Sequence, residues 1–127
     1  MNRYILIVIL SLVSLAASAK APNLNVEKLF DGSYNSNPSV STNISRAPEK
    51  YFRGFTVTNN ASLTHKVTKL FDKDQPRASR RQDVTSAGSR YRSMVIINNG
   101  EEIYVGLSYD RADGCYLFIS GPLSAFK

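Results

Sequence analysis

The sequence predicts an α+β fold: a single four- to five-stranded, mostly antiparallel sheet that ends in a C-terminal β-meander, with one or two helices packed on one face. Three observations carry this. Leu63, Val67, Leu70 and Phe71 recur at i, i+4, i+7 and i+8, the period of one apolar helix stripe. Asn99-Gly100 sits between two alternating apolar runs, and both residues tolerate positive φ, which marks a two-residue type I′ hairpin. The chain opens on Arg3, an apolar run from Tyr4 to Leu15 and the small-residue pattern Ala17-Ser18-Ala19, which together read as an export leader and leave one domain to fold.

The leader sets the compartment. Residues 1–19 are expected to be a cleavable signal peptide, with a mature N-terminus at Lys20 and 108 residues beyond it. A membrane anchor is the competing reading, but a spanning helix needs about 20 apolar residues, and the run ends in a cleavage pattern followed by the polar Lys20-Ala21-Pro22-Asn23. The residue after the cleavage point is Lys20 rather than cysteine, so a lipid-anchored form is not expected and the destination is periplasmic or extracellular. A domain of residues 20–127 buries roughly 65% of its unfolded surface on folding, enough for one core. Cys115 is the one cysteine, so no intrachain disulfide braces the fold, which argues for a bacterial export over a disulfide-dense secreted module. The sequons Asn43-Ile44-Ser45 and Asn60-Ala61-Ser62 matter only in a eukaryotic host. Loss of Arg3 leaves 15 basic against 10 acidic side chains, a net +5 that permits anionic partners without demanding them.

The elements follow in order. Asn25 to Phe30 reads as a short helix capped by Asn25 and stopped at Asp31-Gly32. Residues 33–50 are rich in Ser, Asn and Pro, and the alternation of Val40, Thr42 and Ile44 fits a short edge strand or a loop equally. Tyr51 to Thr58 is a strand with Tyr51, Arg53, Phe55 and Val57 on one face and Phe52, Gly54, Thr56 and Thr58 on the other. Asn60 is the N-cap of the striped helix, whose Thr64, Lys66, Thr68, Lys69 and Lys73 should face water. Pro76 ends it. Residues 74–89 show no apolar periodicity and read as a long connection. The meander then runs Arg90–Asn98, Glu101–Tyr109 and Cys115–Gly121, with Asp110 to Gly114 as a five-residue turn and Pro122 as the stop.

Hairpin parity fixes the two faces of the meander. The Asn99-Gly100 turn sets Ile96 against Ile103 and Met94 against Val105, and the next turn sets Val105 against Ile119 and Leu107 against Leu117. These form the core face, to be covered by the helix stripe. The opposite face carries Val95 against Tyr104, Ile97 beside Glu102, Gly106 against Phe118 and Ser108 against Tyr116. A solvated face is normally polar, so Tyr104, Tyr116, Phe118, Val95 and Ile97 form a candidate contact surface, unless residues 33–50 cover them.

Side chains capable of chemistry are sparse. His65 is the one histidine and falls off the apolar stripe, on an exposed helix surface, so no zinc or copper site of ordinary composition can be assembled. A Gly-x-Ser-x-Gly elbow is absent. Cys115 alternates in phase with Leu117 and Ile119, as a buried small hydrophobe does. Glu101 and Glu102 are adjacent in a strand and face opposite ways, which suits a solvated hairpin tip better than an acid/base pair. Asp110, Asp113 and Gly114 supply too few ligands for calcium and read as a turn. Arg77, Arg80, Arg81, Arg90 and Arg92 crowd into 16 residues with one acid, Asp83, and their planar forks suit carboxylate, sulfate or phosphate. A solvated, solubilising loop explains the same residues. Only Tyr91 interleaves them, so the stacking platform of a nucleic-acid binder is missing.

The order of parts, a cleavable signal, Leu29-Phe30-Asp31-Gly32, the aromatic strand Tyr51 to Val57, the amphipathic helix and the hairpin Ile97-Asn98-Asn99-Gly100-Glu101-Glu102, resembles small exported α+β domains of unknown function from gut Bacteroidetes. The resemblance spans nearly the whole chain, implies a periplasmic or secreted protein without assigned activity, and carries no site residues across. From the residues, the expectation is a non-enzymatic binding module without a cofactor, whose partner is another protein or a second copy. The alternative is a small hydrolase or an anion binder using the arginine-rich segment 77–92. Nucleic acid, and membrane insertion after cleavage, are not expected.

Overall fold

The computed structural model describes residues 21–47 and 49–126, and the expected leader, residues 1–19, lies outside them. A short 3-10 helix (Asn25–Phe30) leads into strands β1 (Val40–Arg46) and β2 (Tyr51–Val57). Helix α1 (Ala61–Asp74) follows and a 3-10 turn (Gln75–Arg77) closes it. The chain ends with β3 (Ala78–Ser86), β4 (Ser89–Asn98), β5 (Glu101–Arg111), β6 (Gly114–Gly121) and a last 3-10 turn (Leu123–Phe126). All five strand pairings are antiparallel, in the order β1-β2-β6-β5-β4-β3. The α+β class holds, but the sheet has six strands rather than four or five.

Helix α1 forms where its stripe and its cap agree. The Asn60 side chain accepts a hydrogen bond from the Leu63 amide at 2.9 Å, satisfying one of the open N–H groups of the first turn. Leu63, Val67, Leu70 and Phe71 are all buried, against Phe55 and Val57 of β2 and the meander residues Met94, Ile96, Ile103, Val105, Leu107, Leu117 and Ile119. Each such side chain contributes about 1.5–3 kcal/mol by leaving water. Thr64 departs from its expected solvent position: it is 3% exposed, on the side of the helix toward Cys115, and its neighbour Thr68 hydroxyl lies 2.7 Å from that of Tyr109.

The meander register is the one hairpin parity requires. Ile96 pairs with Ile103, Met94 with Val105, Val105 with Ile119 and Leu107 with Leu117. Asn99 and Gly100 both have positive φ, at 54° and 74°, as a type I′ turn demands. The second turn is tighter than five residues: Arg111 pairs with Gly114, and a register shift between Tyr109 and Arg111 absorbs the extra residue.

Two stretches correct the sequence expectation. Residues 74–89 are not a connection without regular structure, because 78–86 form β3, paired with β4 from Ala78 opposite Ile96 to Ser86 opposite Ser89. Nearly every β3 side chain is exposed, since the strand lies beyond the reach of α1, and a strand open on both sides carries no apolar alternation. Its turn, Ala87-Gly88, also takes positive φ at both residues, a conformation alanine does not announce. Of the two readings left open for residues 40–46, edge strand is the one that forms. At the N-terminal turn, Asn25 is inside the 3-10 helix rather than its cap, and Glu27 closes the turn by accepting from the Leu24 amide at 3.3 Å.

Two charged side chains tie the periphery to the core. Asp74, fully buried at the end of α1, accepts hydrogen bonds from the Asn25 amide (2.8 Å), the Asn25 side-chain amide (2.8 Å) and the Val26 amide (2.9 Å), so one carboxylate fastens the N-terminal turn to the helix. Arg53 lies over the Tyr51 ring at 4.8 Å and over Phe30 and Phe126 at 5.8 Å, with Glu27 at 3.8 Å, which gathers β2 and both terminal turns around one guanidinium. Asp74→Ala should leave three donors without an acceptor and cost about 3 kcal/mol in chemical denaturation, with Tm lower by roughly 12 °C or more. A loss under about 1 kcal/mol would contradict this role.

Candidate functional site

Among the described residues, α1 and the terminal turns all pack on the Met94–Ile96 side of the sheet, and Leu24, Val26, Leu29 and Ala125 belong to that core. Residues 33–47, 49 and 50 do not cover the other face. Tyr34 turns toward the core, edge-on to Phe55 at 5.5 Å, and residues 40–46 extend the sheet sideways as β1. Among the described residues the second face is therefore open. Its pairings are the expected ones: Val95 with Tyr104, Ile97 with Glu102, Gly106 with Phe118 and Ser108 with Tyr116.

The open face divides into a settled half and a projecting half. Phe118 lies down across Gly106, in the space a Cβ would occupy, and Tyr116 reaches over Gly54 beside the Asn43 side chain. Phe118 also stacks on Phe52, with ring centroids 6.0 Å apart and planes 15° apart, and tilts against Tyr116 at 6.3 Å. The strand glycines thus act as seats for aromatic rings, which cover the backbone the glycines expose. Tyr104 and Tyr91 do not lie down: they remain 45% and 38% exposed, and Ile97 is 50% exposed. Val95, at 9%, is nearly buried between them. Tyr91 and Phe52 are members of this face that meander parity implies but that the expected cluster left out.

A trough of about 1040 Å³ runs over this face. Val95, Tyr104, Phe118 and Tyr91 give it an apolar floor, Ser93, Ser120 and Gln82 supply hydrogen-bonding groups, and Lys50 and Arg80 stand at its margin with Glu49. Tyr116 and Ile97 share the face but lie outside the trough lining. Glu102 fixes one margin: it accepts from Arg80 Nη2 at 3.1 Å and from the Tyr104 hydroxyl. The hydrogen bond to the Glu102 carboxylate holds the Tyr104 phenol above its ordinary pKa.

The five arginines of segment 77–92 are dispersed rather than gathered, because the segment is a β-hairpin and alternate residues point to opposite faces. Arg77 donates to the Asn23 carbonyl at 3.3 Å. Arg90 makes a two-pronged ion pair with Asp83, at 3.0 and 2.6 Å, which lowers the Asp83 pKa. Arg92 is 7% exposed, lies over the Phe71 ring at 4.8 Å and binds Asp72 at 2.7 Å. It seals α1 against β4 and is no candidate anion ligand. Arg80, paired with Val95, points to the trough side, whereas Arg81 is paired with Met94 and points to the helix side.

The remaining candidates keep structural roles. Cys115 is buried, and burial pushes its thiol up to about 11, far from a thiolate nucleophile at neutral pH. His65 is exposed on α1. Asp110 lies in β5 and Asp113 in the β5–β6 turn, and no group of three metal-ligating side chains occurs among the described residues. No described helix is long and apolar enough to cross a membrane.

No protein-family model matches the chain, and no curated protein matches it.

The glycine seat is open to test. A Cβ on Gly106 would run into the Phe118 ring and lift it out. Gly106→Ala should therefore cost about 1–3 kcal/mol in denaturant unfolding even though alanine is the better strand residue. Unchanged stability would show that Phe118 does not rest there.

Proposed function

We propose that the protein is an exported, non-enzymatic binding module whose open sheet face is its contact surface. The observation that supports this best is the pair Tyr91 and Tyr104, which stand exposed beside an apolar trough on a face without helical cover among the described residues. Contiguous apolar surface of this kind is uncommon on soluble monomers unless something docks there. Tyrosine is well suited to the task, since its ring buries a large area, loses little rotamer freedom and keeps a polar tip. Floor and margin differ in kind: Val95 and Phe118 offer dry area, while Ser93, Ser120 and Gln82 offer directional hydrogen bonds.

The anion-binding alternative survives in reduced form. Arg80, with Lys50, places positive charge at the trough margin, so a partner carrying acidic groups would dock with them there. Nothing in the arrangement of His65, Cys115, Glu101 and Glu102 supports hydrolysis, since these side chains do not share a site.

The test is capture from an extract of the host, read by mass spectrometry, with three forms of the protein as bait. Any component held by the wild type should be lost from Tyr91→Ser/Tyr104→Ser by a factor of roughly 30, about 2 kcal/mol. It should be retained by His65→Ala, which alters the helix side. The double variant should keep its Tm, because both rings are already exposed. Equal capture by all three forms would remove the open face from consideration.

A further inference from the structure

The two edges of the sheet are not alike. β3 carries Arg80, Arg81 and Asp83 and a register shift between Ala78 and Arg80, devices that discourage another strand from adding there. β1 has none of these between Val40 and Ser45: no charge, no proline, no bulge, and Ile44 stands 53% exposed. Its outward backbone groups can be assigned. Ala47 and Lys50 exchange both backbone hydrogen bonds, at 3.4 and 3.2 Å, and Thr58 donates to Ser39 at 2.9 Å. Since bonded and non-bonded pairs alternate along an antiparallel ladder, Ser41, Asn43 and Ser45 bond inward to β2. Val40, Thr42, Ile44 and Arg46 direct their N–H and C=O groups to the outer edge, where the Val40 N–H is already taken by the Asn37 carbonyl at 3.1 Å.

We propose that β1 is a self-association edge, at which a second copy of this chain adds its own β1 antiparallel about a two-fold axis at Asn43. The strand is self-complementary in one register. With Asn43 opposite Asn43 of the second copy, Thr42 meets Ile44, Ser41 meets Ser45 and Val40 meets Arg46. In that register all seven residues of β1 lie opposite β1 of the second copy, whereas centring on Thr42 leaves Arg46 beyond the end of the partner strand and centring on Ile44 leaves Val40 beyond it. The same register places β-branched side chains together on the helix side and hydroxyls together on the open side, and it opposes no like charges. The two sheets become one, so the open faces of both copies lie on a continuous surface. The inference does not depend on what the trough binds.

In that register the Asn43 pair is a non-bonded one, with Cα atoms about 4.5 Å apart, inside the range of about 4.4–6.8 Å that a disulfide spans. Ser45 and its counterpart are separated by roughly 13 Å or more. Under mild oxidation the native protein carrying Asn43→Cys should become a covalent dimer almost completely, while Ser45→Cys should stay at background. Buried Cys115 should not compete. Sedimentation should show a dimer for the wild type and a folded monomer for Ile44→Lys, whose Tm no longer rises with protein concentration. Three results would each overturn the proposal: a monomeric wild type, equal crosslinking of the two cysteine variants, or a wild-type dimer that Asn43→Cys fails to trap. The last would place self-association elsewhere, the open face included.

Discussion

Six strands give two faces, and the described chain has one long helix to cover them. That inequality governs the rest of the molecule. The stripe of Leu63, Val67, Leu70 and Phe71 closes one face into a core with both terminal turns recruited to it, and leaves the other face to be managed by the strands themselves. Gly54 and Gly106 are the means: by omitting a Cβ they let Tyr116 and Phe118 lie flat, so aromatic area that would otherwise stand in water is half-hidden without a second layer. What remains upright, Tyr91 and Tyr104, is the part available to a partner.

Charge follows the same division. On the helix side, the arginines are matched at short range: Arg92 by Asp72, Arg90 by Asp83 and Arg53 by Glu27. The partly buried Arg92 is the consequential one, because it is held by a ring and a carboxylate at once, while the exposed pairs contribute little individually. On the open side, Arg80 is shared with Glu102, while Arg81, opposite Met94, carries its charge to the other face at the β3 edge. The net basic balance of the chain therefore does not concentrate into one anion-binding cluster.

Legibility in the sequence tracks burial. The meander register was legible down to the residue pair, because Asn99-Gly100 fixes parity and each core strand alternates cleanly. Helix α1 was legible from its stripe and from Asn60, though Thr64 was not, since a threonine beside a stripe gives no sign of which side the sheet lies on. β3 was not legible: a strand exposed on both sides has no hydrophobic period, and Ala87 hides a positive-φ turn. Asp74 escaped notice because its donors lie 49 and 48 residues away. At the candidate site, membership of the open face followed from parity, but the posture of each ring did not. Whether an aromatic lies down or stands depends on the residue opposite, glycine for Phe118 and valine for Tyr104.

Chemical modification of tyrosine in the isolated protein tests the one-sided cover most directly. Nitration followed by peptide mapping should label Tyr91 and Tyr104 readily and spare Tyr51, which is packed against Phe126 on the covered side. Addition of a captured partner should then protect Tyr91 and Tyr104 selectively. Protection of both tyrosines in the isolated monomer, at the level of Tyr51, would mean that the chain covers this face itself, and would contradict the open sheet as a contact surface.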